Sequence, residues 1–85
     1  MGEALPSMKA RALLALLQRE PLAYRVVRCA GSHRVLRSAH GYPQLVLSFH
    51  ERVSVGGTMV RKILVRDVGL AEAEALALVH REGRR

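Results

Sequence analysis

Four histidines, His33, His40, His50 and His80, are the candidates in this 85-residue chain for proton exchange near neutral pH. They stand apart, with no HxxxH or CxxC spacing and no cluster of carboxylates, so neither a metal site nor a cofactor is expected. Asp67 and Glu72 read as helix-surface residues. Gly56-Gly57 is too short for a phosphate-binding loop and reads as a loop followed by a cap. The single cysteine, Cys29, rules out an intramolecular disulfide framework and a zinc knuckle, and reads as a small buried strand residue. His80 falls near a helix C-terminus, where the helix dipole favours a cation. His40 precedes Gly41 in a turn and is expected in solvent, whereas His50 ends a strand and is a candidate for substrate contact. His33 is different. In "RCAGSHRVLR" it directly follows Gly31-Ser32 and opens a strand beside a turn whose N–H groups could hold a phosphate, with Arg28, Arg34 and Arg37 close by in sequence.

Charge narrows the choice of ligand. Fourteen Lys and Arg against seven Asp and Glu leave +7, which favours a polyanionic partner such as nucleic acid and also suits an acidic protein. Nearly all the cations are arginine, whose planar fork matches phosphate and stacks on bases. No apolar run approaches the roughly 20 residues that span a bilayer, and "MGEALPSMKA" lacks a basic-then-apolar export signal, so the expectation is a soluble, cytoplasmic protein. A chain this short supports one core, and residues 1–85 are taken as one domain.

The elements that must position His33 follow from periodicity. "SMKARALLALLQR" reads as an amphipathic helix with Leu13, Leu16 and Leu17 on its apolar stripe, capped by Ser7 and stopped by Pro21. "YRVVRCA" and "HRVLRS" read as strands joined by a tight Gly31-Ser32 hairpin, and "LVLSF" as a third strand after the Gly41 and Pro43 turn. In that third strand Leu45, Leu47 and Phe49 share one face, and Val46, Ser48 and His50 the other, so one face of the sheet is expected to be buried and one open. The first two strands alternate less cleanly, and the pattern does not assign His33 to a face. Thr58 is expected to cap "MVRKILVRDV", with Val60, Ile63 and Leu64 inward and Gly69 as the C-terminal cap. "LAEAEALALVHRE" reads as a last helix, apolar at Leu70, Ala73, Leu76, Ala77 and Val79. The expected fold is α+β: a three-stranded antiparallel sheet with helices on one face and a short extra C-terminal helix.

Taken together, "MKARALLALLQRE", "YRVVRCAGSHRVLRSAHG" and "GTMVRKILVRDVGLAEAEAL" resemble the HicA family of bacterial mRNA interferase toxins from Met8 to about Leu78. The most specific parts are Gly31-Ser32-His33 after a basic strand and the helix that runs from Gly57-Thr58 to Gly69-Leu70. The chain departs from the family at Phe49-His50-Glu51-Arg52 and in the loop before Gly56. The resemblance implies a double-stranded-RNA-binding-like α-β-β-β-α domain, metal-independent cleavage of mRNA, and neutralisation by a HicB-type antitoxin. It also implies that His33 is the catalytic histidine.

RNA carries its own nucleophile, the 2′-hydroxyl, so cleavage needs a base for that proton, an acid for the leaving 5′-oxygen and donors for the charge on phosphorus. His33 is expected as the base or acid, with Gly31, Ser32, Arg28, Arg34, Arg37, His50 and Arg61 binding RNA. The alternatives are a non-catalytic RNA-binding module of the same shape and a basic protein–protein adaptor.

Overall fold

The computed structural model describes residues 5–50 and 52–83. Its central feature is an antiparallel sheet of order β2-β3-β4, formed by Tyr24–Ala30, His33–Ser38 and Leu45–Ser48. The other elements in chain order are β1 (Met8–Lys9), α1 (Ala10–Gln18), β5 (Ser54–Val55), α2 (Gly57–Arg61) and α3 (Glu72–Gly83). A π-helical turn, Lys62–Asp67, extends α2 without a break.

Helix α1 buries Ala10, Leu13, Leu16 and Leu17, the expected stripe extended by one turn at its start. It begins at Ala10, not Ser7, because Met8 and Lys9 are drawn into a two-residue ladder with Val55 and Ser54, and Ala10 N–H donates to the Val53 carbonyl at 2.8 Å. The N-cap is therefore Lys9, whose side chain makes no capping bond. The same ribbon fixes the entry to α2. Here the N-cap is Gly56 and not Thr58, which lies inside the helix; Val60 N–H closes the first turn onto the Gly56 carbonyl at 2.9 Å. Gly57 has a tertiary reason to be glycine: a Cβ there would overlap the backbone carbonyl oxygen of Leu5.

The π turn has a cause that can be read from the core. Val60, Ile63 and Leu64 point inward. At 3.6 residues per turn Asp67 would come next on that stripe, four residues after Ile63 and three after Leu64. Widening the turn to i→i+5 bonds, such as Val68 N–H to the Ile63 carbonyl at 2.9 Å, puts Val68 in the core instead. Asp67 stays at the surface beside Lys62, 3.4 Å away. Gly69, with φ 93°, ends the segment as its sequence suggests, and Leu70 N–H donates back to the Leu64 carbonyl at 3.0 Å. Helix α3 begins at Glu72, and Glu74 reaches back to the Ala71 N–H at 3.3 Å, half of a capping box. Its inward face is Ala75 and Val79 flanked by Leu76 and Leu78. Ala73 and Ala77, expected inward, are exposed.

The sheet contributes Tyr24, Leu36, Leu45 and Leu47 to a single core shared with all the helices. Among the described residues no polar or charged side chain is buried without a hydrogen-bond partner, and no helix is long and apolar enough to cross a membrane.

Candidate functional site

The geometry of the open face follows from one turn and one bulge. Gly31 has φ 62° while Ser32 stays at negative φ, the combination a two-residue II′ hairpin needs, and Ala30 pairs with His33 directly across it. Counting back from the turn, Cys29 pairs with Arg34 and Arg28 with Val35. The register then slips by one at Val27, so that Val26 faces Leu36, Arg25 faces Arg37 and Tyr24 faces Ser38. Without that bulge, Tyr24, Val26, Arg28 and Ala30 would lie on one face by simple alternation. With it, Tyr24 turns into the core while Arg25 and Arg28 both turn outward. This is why the first two strands resist a period-two reading.

Cross-strand partners share a face, so the register assigns every residue. The core side carries the rows Ser38–Tyr24, Leu45–Leu36–Val26 and Leu47–Arg34–Cys29. The open side carries Ser48–His33–Ala30, Val46–Val35–Arg28 and Arg37–Arg25, with the bulged Val27 beside them. His33, Arg25, Arg28 and Arg37 are exposed, and so are Val27 and Val46 at 50% and 60%.

The expected contacts therefore separate. Gly31, Ser32, Arg28 and Arg37 share the open face or its turn with His33. Arg34 does not: it lies half-buried on the core side between Cys29 and Leu47. His50 is not part of a strand, because β4 ends at Ser48; it is exposed in the following loop, and its carbonyl accepts a hydrogen bond from Val53 N–H at 3.1 Å. Arg61 is held by an ion pair to Glu72 on the helical side and lines an apolar hollow with Leu5, Val65 and Leu76. Cys29, expected in the core, is exposed: it lies on the edge strand β2, at the outer end of a row whose other end, Leu47, is buried. His40 is exposed as expected but pairs with Glu20 at 2.8 Å. His80 lies in the last turn of α3.

Two open-face residues were missed from sequence. Ser48 is the direct cross-strand neighbour of His33, and the alternation of "LVLSF" already placed it outward. Arg25 becomes the partner of Arg37 only through the bulge, and an unbulged hairpin would have set it against Ser38.

Electrostatics sharpen the picture. Each carboxylate of the described residues already has a partner: Glu20 with His40, Asp67 with Lys62, Glu72 with Arg61, Glu74 with the Ala71 N–H and Glu82 with Arg19. None of these carboxylates pairs with His33, Arg25, Arg28 or Arg37. That face thus presents three arginines and a histidine with no counter-charge paired to them among the described residues, and Arg25 against Arg37 is a like-charge cross-strand pair, which costs stability in the absence of an anion.

Two shallow depressions adjoin Arg37. One, of about 230 Å³, is lined by Arg25, Val27, Arg37, Ser38 and Ala39. The other, of about 270 Å³, is lined by Arg37, Ser38, Gly41, Tyr42 and Gln44. Nearby, Tyr24 donates its hydroxyl to the Pro43 carbonyl at 2.6 Å, and Ser38 Oγ donates to the Leu22 carbonyl at 2.6 Å while accepting His40 N–H at 3.0 Å. Burial, reinforced by the neighbouring Tyr42, pushes the Tyr24 phenol up to about 12.

No group of three or more His, Cys, Asp or Glu side chains able to hold a metal ion occurs among the described residues. Comparison with protein-family models, with curated proteins and with solved structures found no match to this chain.

Proposed function

We propose that this chain is a HicA-like endoribonuclease whose sheet and helices form a double-stranded-RNA-binding-like α-β-β-β-α domain and whose open sheet face receives mRNA. The observation that carries the reading is the cationic face, whose strand positions hold three arginines and no carboxylate among the described residues, with His33 exposed on it. A phosphodiester supplies the counter-charge that this face lacks.

In this reading His33 acts on the proton of the attacking 2′-hydroxyl or on the leaving 5′-oxygen. The 2′-oxygen forms its bond to phosphorus as the bond to the 5′-oxygen breaks. The proton removed from the first oxygen is balanced by one delivered to the second. Arg28, one row from His33 on the same face, together with the Ser48 hydroxyl and the turn N–H groups, is positioned to bind the non-bridging oxygens as negative charge grows there. The sequence resemblance points the same way, since its Gly-Ser-His triplet is the turn that holds His33.

One observation favours the non-catalytic RNA-binding reading. No second side chain that exchanges protons near neutral pH stands beside His33 among the described residues. One of the two proton transfers then falls to water, and the enzyme is a slow one. Incubating the purified protein with single-stranded RNA in EDTA separates the readings: cleavage supports the nuclease, while binding without cleavage supports the module. A HicB-type antitoxin would neutralise the protein by covering this face with acidic groups, so RNA and antitoxin compete. An adaptor with a basic docking surface would bind the acidic partner and not RNA.

A further inference from the structure

The end of the open face farthest from the hairpin turn is built differently from the His33 end. Arg25 and Arg37 are opposed directly across β2 and β3, where side chains leave the backbone about 5 Å apart. Neither arginine forms an ion pair with a carboxylate of the described residues, each of which has another partner. The depression they line with Val27 shares Arg37 and Ser38 with the second depression, where Tyr42 offers a half-buried ring and Gln44 an exposed amide. A pair of guanidinium forks next to an aromatic ring and an amide is the combination of groups that takes a phosphate and the adjoining base.

We propose that this end is a nucleotide subsite of its own: Arg25 and Arg37 clamp a backbone phosphate, and the attached base stacks on Tyr42 within reach of the Gln44 amide. The subsite lies four residues along β3 from His33, about 13 Å at strand spacing. It therefore holds a nucleotide beyond the scissile one. Because the base must leave its stack to reach Tyr42, the substrate is single-stranded at this position. The inference rests on the reading of the open face as an RNA surface, but not on cleavage.

The test uses a short, fully 2′-O-methylated oligoribonucleotide, which cannot be cut, with binding followed by fluorescence anisotropy. Arg25→Gln and Arg37→Gln are each expected to weaken binding about tenfold and to lower the slope of log affinity against log salt by about 0.7, the value for one phosphate contact on a single strand. Neither should lower the melting temperature, because each relieves a like-charge pair. Tyr42→Leu should weaken the base-bearing strand by about fivefold to a hundredfold while sparing an abasic strand of the same length. Should Tyr42→Leu fail to fold, the preference of the unmodified protein for the base-bearing strand over the abasic one gives the same information. Arg66→Gln, an exposed cation on the helical side, is the control and should bind as wild type.

Wild-type affinity and salt slope in both arginine variants would overturn the subsite. So would equal affinity for base-bearing and abasic strands, or binding of a duplex as tight as that of the single strand. A 2′-hydroxyl substrate that is bound through these residues yet never cut refutes the nuclease and leaves the subsite standing. A substrate that is cut, with both arginine variants binding normally, refutes the subsite alone.

Discussion

Gly57→Ala isolates a constraint that holds the N-terminal segment to the rest of the fold. In an ordinary helix the change would stabilise by up to about 1 kcal/mol. Here the added Cβ overlaps the Leu5 carbonyl oxygen and lies 3.0 Å from the carbonyl carbon. These are backbone atoms, which cannot swing aside, so the segment carrying Leu5 and Pro6 must withdraw. Leu5 is 7% exposed, and burial of a leucine side chain is worth about 1.5–3 kcal/mol. Partial loss of that burial, offset by the helix gain and increased by load on the Met8 to Val55 pairing, gives a net cost of about 1–3 kcal/mol. For a domain of this size the melting temperature should fall by about 5–20 °C. Thermal and urea unfolding followed by circular dichroism would measure it, with Gly56→Ala alongside. At Gly56 an added Cβ meets nothing within 4 Å, and the cost should stay below about 1 kcal/mol. A Gly57→Ala protein as stable as wild type, or one that loses no more than Gly56→Ala, would refute the reasoning.

Leu36→Ala empties the centre of the sheet at a fully buried position and should cost about 2–5 kcal/mol in urea unfolding. Tyr24 is protonated more firmly in the folded state than its ordinary value of 10.0, so its contribution is fully present below pH 10 and is lost as the pH rises through about 12. That rise is worth up to about 3 kcal/mol; an alkaline unfolding series compared with Tyr24→Phe should show the loss in wild type alone, and identical curves would count against it. RNA affinity should decline steeply with salt, with a clearly negative slope of log affinity against log salt; a flat response would favour the protein-adaptor reading.

What sequence makes legible is what repeats. The leucine stripe of α1, the Val60, Ile63 and Leu64 stripe, the Gly31-Ser32 hairpin and the outward Val46 and Ser48 all follow a regular period, and all are present. Departures from period were not legible because their causes lie elsewhere in the chain. The bulge at Val27 reconciles an inward Tyr24 with an outward Arg28, and it is what brings Arg25 opposite Arg37. The π turn keeps Asp67 out of the core. The two-residue ladder between β1 and β5 is too short to have a period, yet it moves both helix starts away from Ser7 and Thr58, the residues best suited to cap them. For the candidate site, residue types named His33 and its turn, while face membership, which removes Arg34 and admits Arg25, needed the register.

The central claim is that His33 moves a proton in RNA cleavage rather than simply occupying a turn. Its most direct test is single-turnover cleavage of single-stranded RNA in EDTA by wild-type and His33→Ala proteins, each freed of contaminating nuclease, with RNA affinity measured in parallel. His33 is exposed, so the variant should unfold within about 0.5 kcal/mol of wild type. The account predicts that wild type cuts, that His33→Ala binds RNA but no longer cuts it, and that a 2′-deoxy sugar at the scissile position blocks the wild-type reaction. Cleavage by His33→Ala at the wild-type rate, or no cleavage by the wild-type protein, would contradict it.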